Sequence, residues 1–73
     1  MGYYEPQWSA EEQTMVDLMK LNDWMVGADI EKEYTSVAIW HKDKGYFGFK
    51  ADTEYEAIRK AFNFWTKHNA NPI

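Results

Sequence analysis

The chain contains no cysteine, so it has neither a disulfide framework nor a thiolate metal centre, and it fits a reducing cytoplasm. Its apolar runs are too short to cross a bilayer. Its first residues lack the basic start and apolar centre of a signal peptide. Gly2 follows Met1, but Pro6 stands where a myristoylation signal would carry Ser or Thr. The expectation is a soluble cytoplasmic protein with no membrane partner. Gly2, Gly27, Gly45 and Gly48 are scattered and form no phosphate-cradling loop. His41 and His68 lack the spacing of a metal pair. No Gly-x-Ser-x-Gly elbow is present, and Ser9 reads as a helix cap, which leaves Ser36 without a catalytic context. Glu11-Glu12, Glu31/Glu33 and Glu54/Glu56 stand in contexts that predict solvent exposure, where no carboxyl needs an altered pKa. These absences predict a non-enzyme with no cofactor and no metal.

What is present is aromatic. Four Trp, five Tyr and four Phe occupy 73 residues, a length at which a single domain buries only about 60% of its unfolded surface. Each ring removes on the order of 150–250 Å² from water, so most of these rings are expected in the core. The net charge of −4 is unevenly spread. Residues 5 to 33 carry Glu5, Glu11, Glu12, Asp17, Asp23, Asp29, Glu31 and Glu33 against Lys20 and Lys32, whereas residues 34 to 73 hold six basic groups and four acidic ones. Phosphate binding needs a continuous basic surface. Nucleic acid is therefore not an expected partner, and the acidic front half suits a basic patch on a protein.

The chain reads as αβββα. Ser9 and Glu12 form a capping box for a helix from about Ala10 to Leu21 carrying Met15, Leu18 and Met19 on its apolar face, with Asn22 as the expected left-handed stop. Trp24, Val26, Ala28 and Ile30 alternate as a strand, and Glu31-Lys32-Glu33 predicts a charged turn. Val37 and Ile39, then Phe47, Phe49 and Ala51, predict a hairpin. Asp43-Lys44-Gly45 suits its loop, with a type I turn and Gly45 in the left-handed region. Thr53 and Glu56 cap a second helix whose stripe of Ile58, Ala61, Phe62 and Trp65 should cover Phe47 and Phe49. The predicted organisation is an aromatic arm over residues 1–8, a globular αβββα domain over 9–68 and a tail over 69–73, with the helices packed on the sheet.

Trp24-Met25-Val26, the hairpin, and above all the run from Ala51-Asp52-Thr53 through Glu56-Ala57-Ile58 to Ala61 resemble the phage ABA sandwich domains over about residues 15–66. The closing helix departs from that pattern in carrying Phe62, Phe64 and Trp65, and the tyrosine-rich leader lies outside it. The resemblance implies an α/β/α arrangement and a phage origin, and supplies no catalytic residue. By analogy with small phage proteins it also implies binding to a host protein, with RNA polymerase the best guess, so as to inhibit or redirect it. The αβββα order is shared with double-stranded RNA-binding domains. Here, however, the second helix opens with Asp52, Glu54 and Glu56, which would repel phosphate.

Two candidate surfaces follow. Tyr3, Tyr4, Trp8, Glu11 and Glu12 combine hot-spot rings with carboxylates and are the expected partner-binding residues. Tyr34, Trp40 and Tyr46 form a second aromatic face on the hairpin, expected to be at least partly covered. A host protein is the expected partner of a monomer or weak homodimer. The alternatives are an acidic nucleic-acid mimic of the anti-restriction or anti-CRISPR kind and a self-associating assembly domain.

Overall fold

The computed structural model describes residues 7–30 and 35–69. Within them the order is α1 (Ala10–Leu21), β1 (Met25–Ile30), β2 (Thr35–His41), β3 (Gly45–Ala51) and α2 (Glu54–Asn69). This is the expected αβββα architecture. Tyr3, Tyr4, Tyr34 and the charged turn over residues 31–33 lie outside the described residues.

Both ends of α1 are closed by specific bonds. The Ser9 N–H donates to Glu12 Oε1 at 2.9 Å and the Glu12 N–H donates to Ser9 Oγ at 3.3 Å, completing the capping box. At the other end the residue with positive φ is Asp23 (φ 71°), not Asn22. The Trp24 N–H bonds to the Met19 carbonyl at 3.1 Å and the Asp23 N–H to the Lys20 carbonyl at 3.0 Å, the two bonds of a Schellman stop. The motif is sealed because Trp24 and Met19, which flank it, are both buried. The polypeptide thus turns straight from helix into β1.

The sheet is an antiparallel meander in the order β1-β2-β3. Val26 pairs with Ile39 and Ile39 with Phe47, while Ala28 pairs with Val37 and Val37 with Phe49. These rows make the inner face, and Val26, Ala28, Val37 and Ile39 are each at most 4% exposed. The hairpin loop differs by one residue from the expected one. The Lys44 N–H bonds to the His41 carbonyl at 3.2 Å, so Lys42-Asp43-Lys44 forms the turn and Gly45 (φ 107°) opens β3 opposite His41.

Both helices lie on the inner face. Met15, Val16 and Met19 of α1 and Ala57, Ile58, Ala61 and Trp65 of α2 share one core with the strand residues. α1 packs on β1 and on α2, and α2 lies over β2 and β3. The result is two layers, not a sheet with a helix on each side as the resemblance implies. One position in α2 is also corrected. Phe64, not Phe62, covers the hairpin, with ring centroids 4.6 Å from Phe47 and 5.4 Å from Phe49. Phe62 instead pairs with Trp65 at 5.5 Å. His68, four residues on from Phe64 and on the same helix face, also lies over Phe47 with centroids 6.4 Å apart, whereas Phe62 lines a cleft with Glu11 and Met15 of α1.

Candidate functional site

The chain reverses between α1 and β1 at the end of the sheet where β2 and β3 are joined. Met25 of β1, Trp40 of β2 and Tyr46 of β3 are register partners in one outward row there. Strand alternation turns this row away from both helices. Met25 is 51% and Tyr46 57% exposed, and Leu21, four residues before Met25 at the end of α1, is 80% exposed. The Trp40 and Tyr46 rings stack with centroids 6.0 Å apart and planes at 26°. A cleft of about 520 Å³ lined by Trp40, His41, Gly45 and Tyr46 runs beside them. Farther along the same face Ala38 and Ser36 are buried, while Gly48 and Lys50 are exposed. The expected partial cover of this face is therefore real for Trp40, which is half-buried, and does not extend to Tyr46.

The turn adjoining the row is basic and held in place. The Asp43 N–H donates to His41 Nδ1 at 3.0 Å, and the His41 ring leans on Trp24 with centroids 5.3 Å apart. Lys42 and Lys44 flank Asp43, both exposed. An apolar row beside two ammonium groups suits an apolar spot edged with carboxylates.

The opposite end of the molecule is acidic. α1 begins with Glu11 and Glu12, and α2 with Glu54 and Glu56, where carboxylates complement the helix dipoles. Two of these are not solvated as expected. Glu12 is 6% exposed and bound into its cap, and Glu54 is half-buried with Oε2 enclosed and without a hydrogen-bond partner among the described residues. Burial, and secondarily the charge of Glu12, pushes the Glu54 carboxyl above the usual glutamate range.

A third feature lies along the β3 edge. A cleft of about 790 Å³ between that edge and α2 is lined by Lys50, Ala51, Asp52, Glu56, Arg59, Lys60 and Asn63. Lys60 Nζ donates across it to the Lys50 carbonyl at 2.8 Å. Arg59 Nη1 donates to the Tyr55 hydroxyl at 3.0 Å.

The residues singled out in the sequence are thus separated. Trp8, 8% exposed, belongs to the core, and Glu12 to its cap. Glu11 is exposed and lines a cleft of about 370 Å³ with Met15, Tyr55, Arg59 and Phe62. Trp40 and Tyr46 come together as expected, and Met25 and Leu21 join their end of the molecule. Strand alternation could have placed Met25 on that face, but its neighbours depend on the register. The β3 edge cleft had no sequence signal beyond the polar row of α2. Among the described residues, no three His, Asp or Glu side chains gather to hold a metal ion, and no helix is long and apolar enough to cross a membrane. No known protein family, characterised protein or solved structure matches this chain.

Proposed function

We propose that this chain is a non-catalytic binding module that captures a protein through the hairpin end of its outer sheet face. The observation that carries the reading is the exposure of Met25 and Tyr46 beside Trp40, on a face that neither helix covers. Tyr and Trp dominate binding hot spots, because a stiff ring with a polar handle contributes large contact area at low entropic cost. Lys42 and Lys44 at the rim steer the approach toward a partner site edged with carboxylates. The resemblance to phage proteins makes a host protein the partner, with RNA polymerase the first to test.

The experiment is titration of the chain against host RNA polymerase, comparing wild type with Met25→Ala, Tyr46→Ala and Glu11→Lys. The two sheet-face changes remove exposed side chains and should leave the melting curve unchanged while weakening binding at least tenfold. Equal affinity of wild type and both variants refutes this surface. A loss confined to Glu11→Lys moves the site to the acidic end of α1.

A further inference from the structure

We propose that the segment taken by this face is an acidic proline-rich stretch in the polyproline II conformation, lying across the Trp40 and Tyr46 rings with its carboxylates turned to Lys42 and Lys44. The inference rests on the docking surface proposed above and names the chemistry of its occupant.

The row recognises its occupant through side chains. Trp40 stands between Met25 and Tyr46 in the ladder, so no strand can be added beside it. Met25 and Tyr46 are each more than half exposed, and the Trp40 and Tyr46 rings stack with their centroids 6.0 Å apart. The apolar platform is a single row deep. Toward the middle of the sheet follow Gly27, Ala38 and Gly48, which carry no ring, and on the other side the His41–Gly45 rung leads into the Lys42-Asp43-Lys44 turn. Such a strip suits a slender ligand better than a helix, which is about 10–12 Å across with its side chains.

A polyproline II segment matches the row in length. Met25 and Tyr46 are two strand spacings apart, about 9.6 Å, and three residues of polyproline II rise about 9.3 Å. Residues i and i+3 of such a segment share one edge of a three-sided rod, so they reach both ends of the row with the Trp40 ring between them. Proline rings on that edge pack against aromatic faces, and a preformed conformation loses little entropy on docking.

The polar groups suit the same ligand. Polyproline II makes no internal hydrogen bonds, so its carbonyls call for donors. His41 lines the cleft, and because its Nδ1 accepts the Asp43 N–H at 3.0 Å, the neutral ring carries its proton on Nε2 as a donor. Lys42 and Lys44, both exposed, stand beyond that rung and border the edge of the segment nearest the turn. Two lysines against Asp43 leave one net positive charge. That favours a carboxylate, and it falls short of the continuous basic surface that the phosphates of a nucleic-acid strand require.

The test is titration of the 15N-labelled full chain, followed by NMR, with an end-blocked nonapeptide of three Glu-Pro-Pro repeats. Its period of three puts carboxylates on one edge and prolines on the other two. The amide resonances of Met25 and of residues 40–46 should move, with a Kd between about 10 μM and about 1 mM. Glu-Ala-Ala repeats keep the charge without the prolines, Lys-Pro-Pro repeats keep the prolines with the charge reversed, and each should bind at least tenfold more weakly. Tyr46→Ala should weaken the Glu-Pro-Pro complex at least tenfold with an unchanged melting curve. Lys42→Glu combined with Lys44→Glu should reverse the preference between the Glu-Pro-Pro and Lys-Pro-Pro peptides. Resonances that stay still up to about 1 mM peptide overturn the inference. So does equal binding of the Glu-Ala-Ala peptide, or a preference for an oligothymidylate, which would make the rings a base-stacking platform. The reading on which it rests fails separately. Equal capture of the protein partner by wild type, Met25→Ala and Tyr46→Ala refutes that reading, whereas loss of capture in both variants with no binding of the peptide refutes this inference alone.

Discussion

Replacing Ile58 by alanine tests the core directly. Ile58 is 0% exposed and sits on α2 among residues from both helices and the inner sheet face. Removing three carbon groups forfeits about 0.8 kcal/mol of transfer free energy for each. The cavity left behind adds to this, because a core held between two helices and a sheet closes only in part, so the total is about 3–4 kcal/mol. Domains of this size are stable by only about 4–11 kcal/mol. At roughly 2.1 cal/mol/K per residue, a chain of 73 residues unfolds with an entropy of about 150 cal/mol/K. The melting temperature should therefore fall by about 20 °C. Ile58→Val, which removes one group, should cost about 0.5–1.5 kcal/mol and lower it by less than half as much. Circular dichroism melts of the three proteins, with urea titrations to check that the denaturant slope is unchanged, measure the series. A fall of less than about 5 °C for alanine would refute the packing of α2 on this face.

The backbone makes two further predictions. Asp23→Gly should stabilise the chain by about 0.5–1 kcal/mol by relieving the side chain at φ 71°, and a lower midpoint in urea would show that the Asp23 side chain itself supports the turn. Gly45→Val should destabilise it by about 1–2 kcal/mol through backbone strain at φ 107°, because the nearest atom to an added Cβ, on Phe47, is at an ordinary 3.7 Å; equal melting temperatures would refute that turn conformation. Glu54 makes a pH-dependent prediction. Its carboxyl is held above the usual range by burial first and by Glu12 second, so ionising it opposes folding. That opposition is absent below the ordinary glutamate range and complete above the raised folded value. Glu54→Gln should therefore be more stable than wild type at neutral pH and lose its advantage on acidification. An advantage that persists in acid would assign the effect to something other than charge.

The elements and their order were determined by local chemistry. The Ser9/Glu12 capping box, the period of two from Trp24 through Ala51 and the Thr53 cap each operate within a few residues, and the boundaries of α1 follow from them. The Thr53 hydroxyl does accept from the Glu56 N–H at 3.2 Å. The errors of detail were also local. Asp23 takes the left-handed position because that lets Trp24 seal the stop against Met19, and Gly45 belongs to the strand because the turn closes one residue earlier. What tertiary structure alone decided is which faces meet. Periodicity gives each helix an apolar stripe but not the side of the sheet it takes. Both took the same side, and only then did Phe64 displace Phe62 over the hairpin and leave Met25 and Tyr46 exposed beside Trp40. The fate of Trp8 and Glu12 was settled in the same way. An aromatic ring and a carboxylate at the head of a helix serve equally well as a partner site or as core and cap, and burial against distant residues chose the latter. Glu54 meets Glu12 only because the two helices begin at the same end of the molecule, a juxtaposition of residues 42 positions apart that no local pattern encodes.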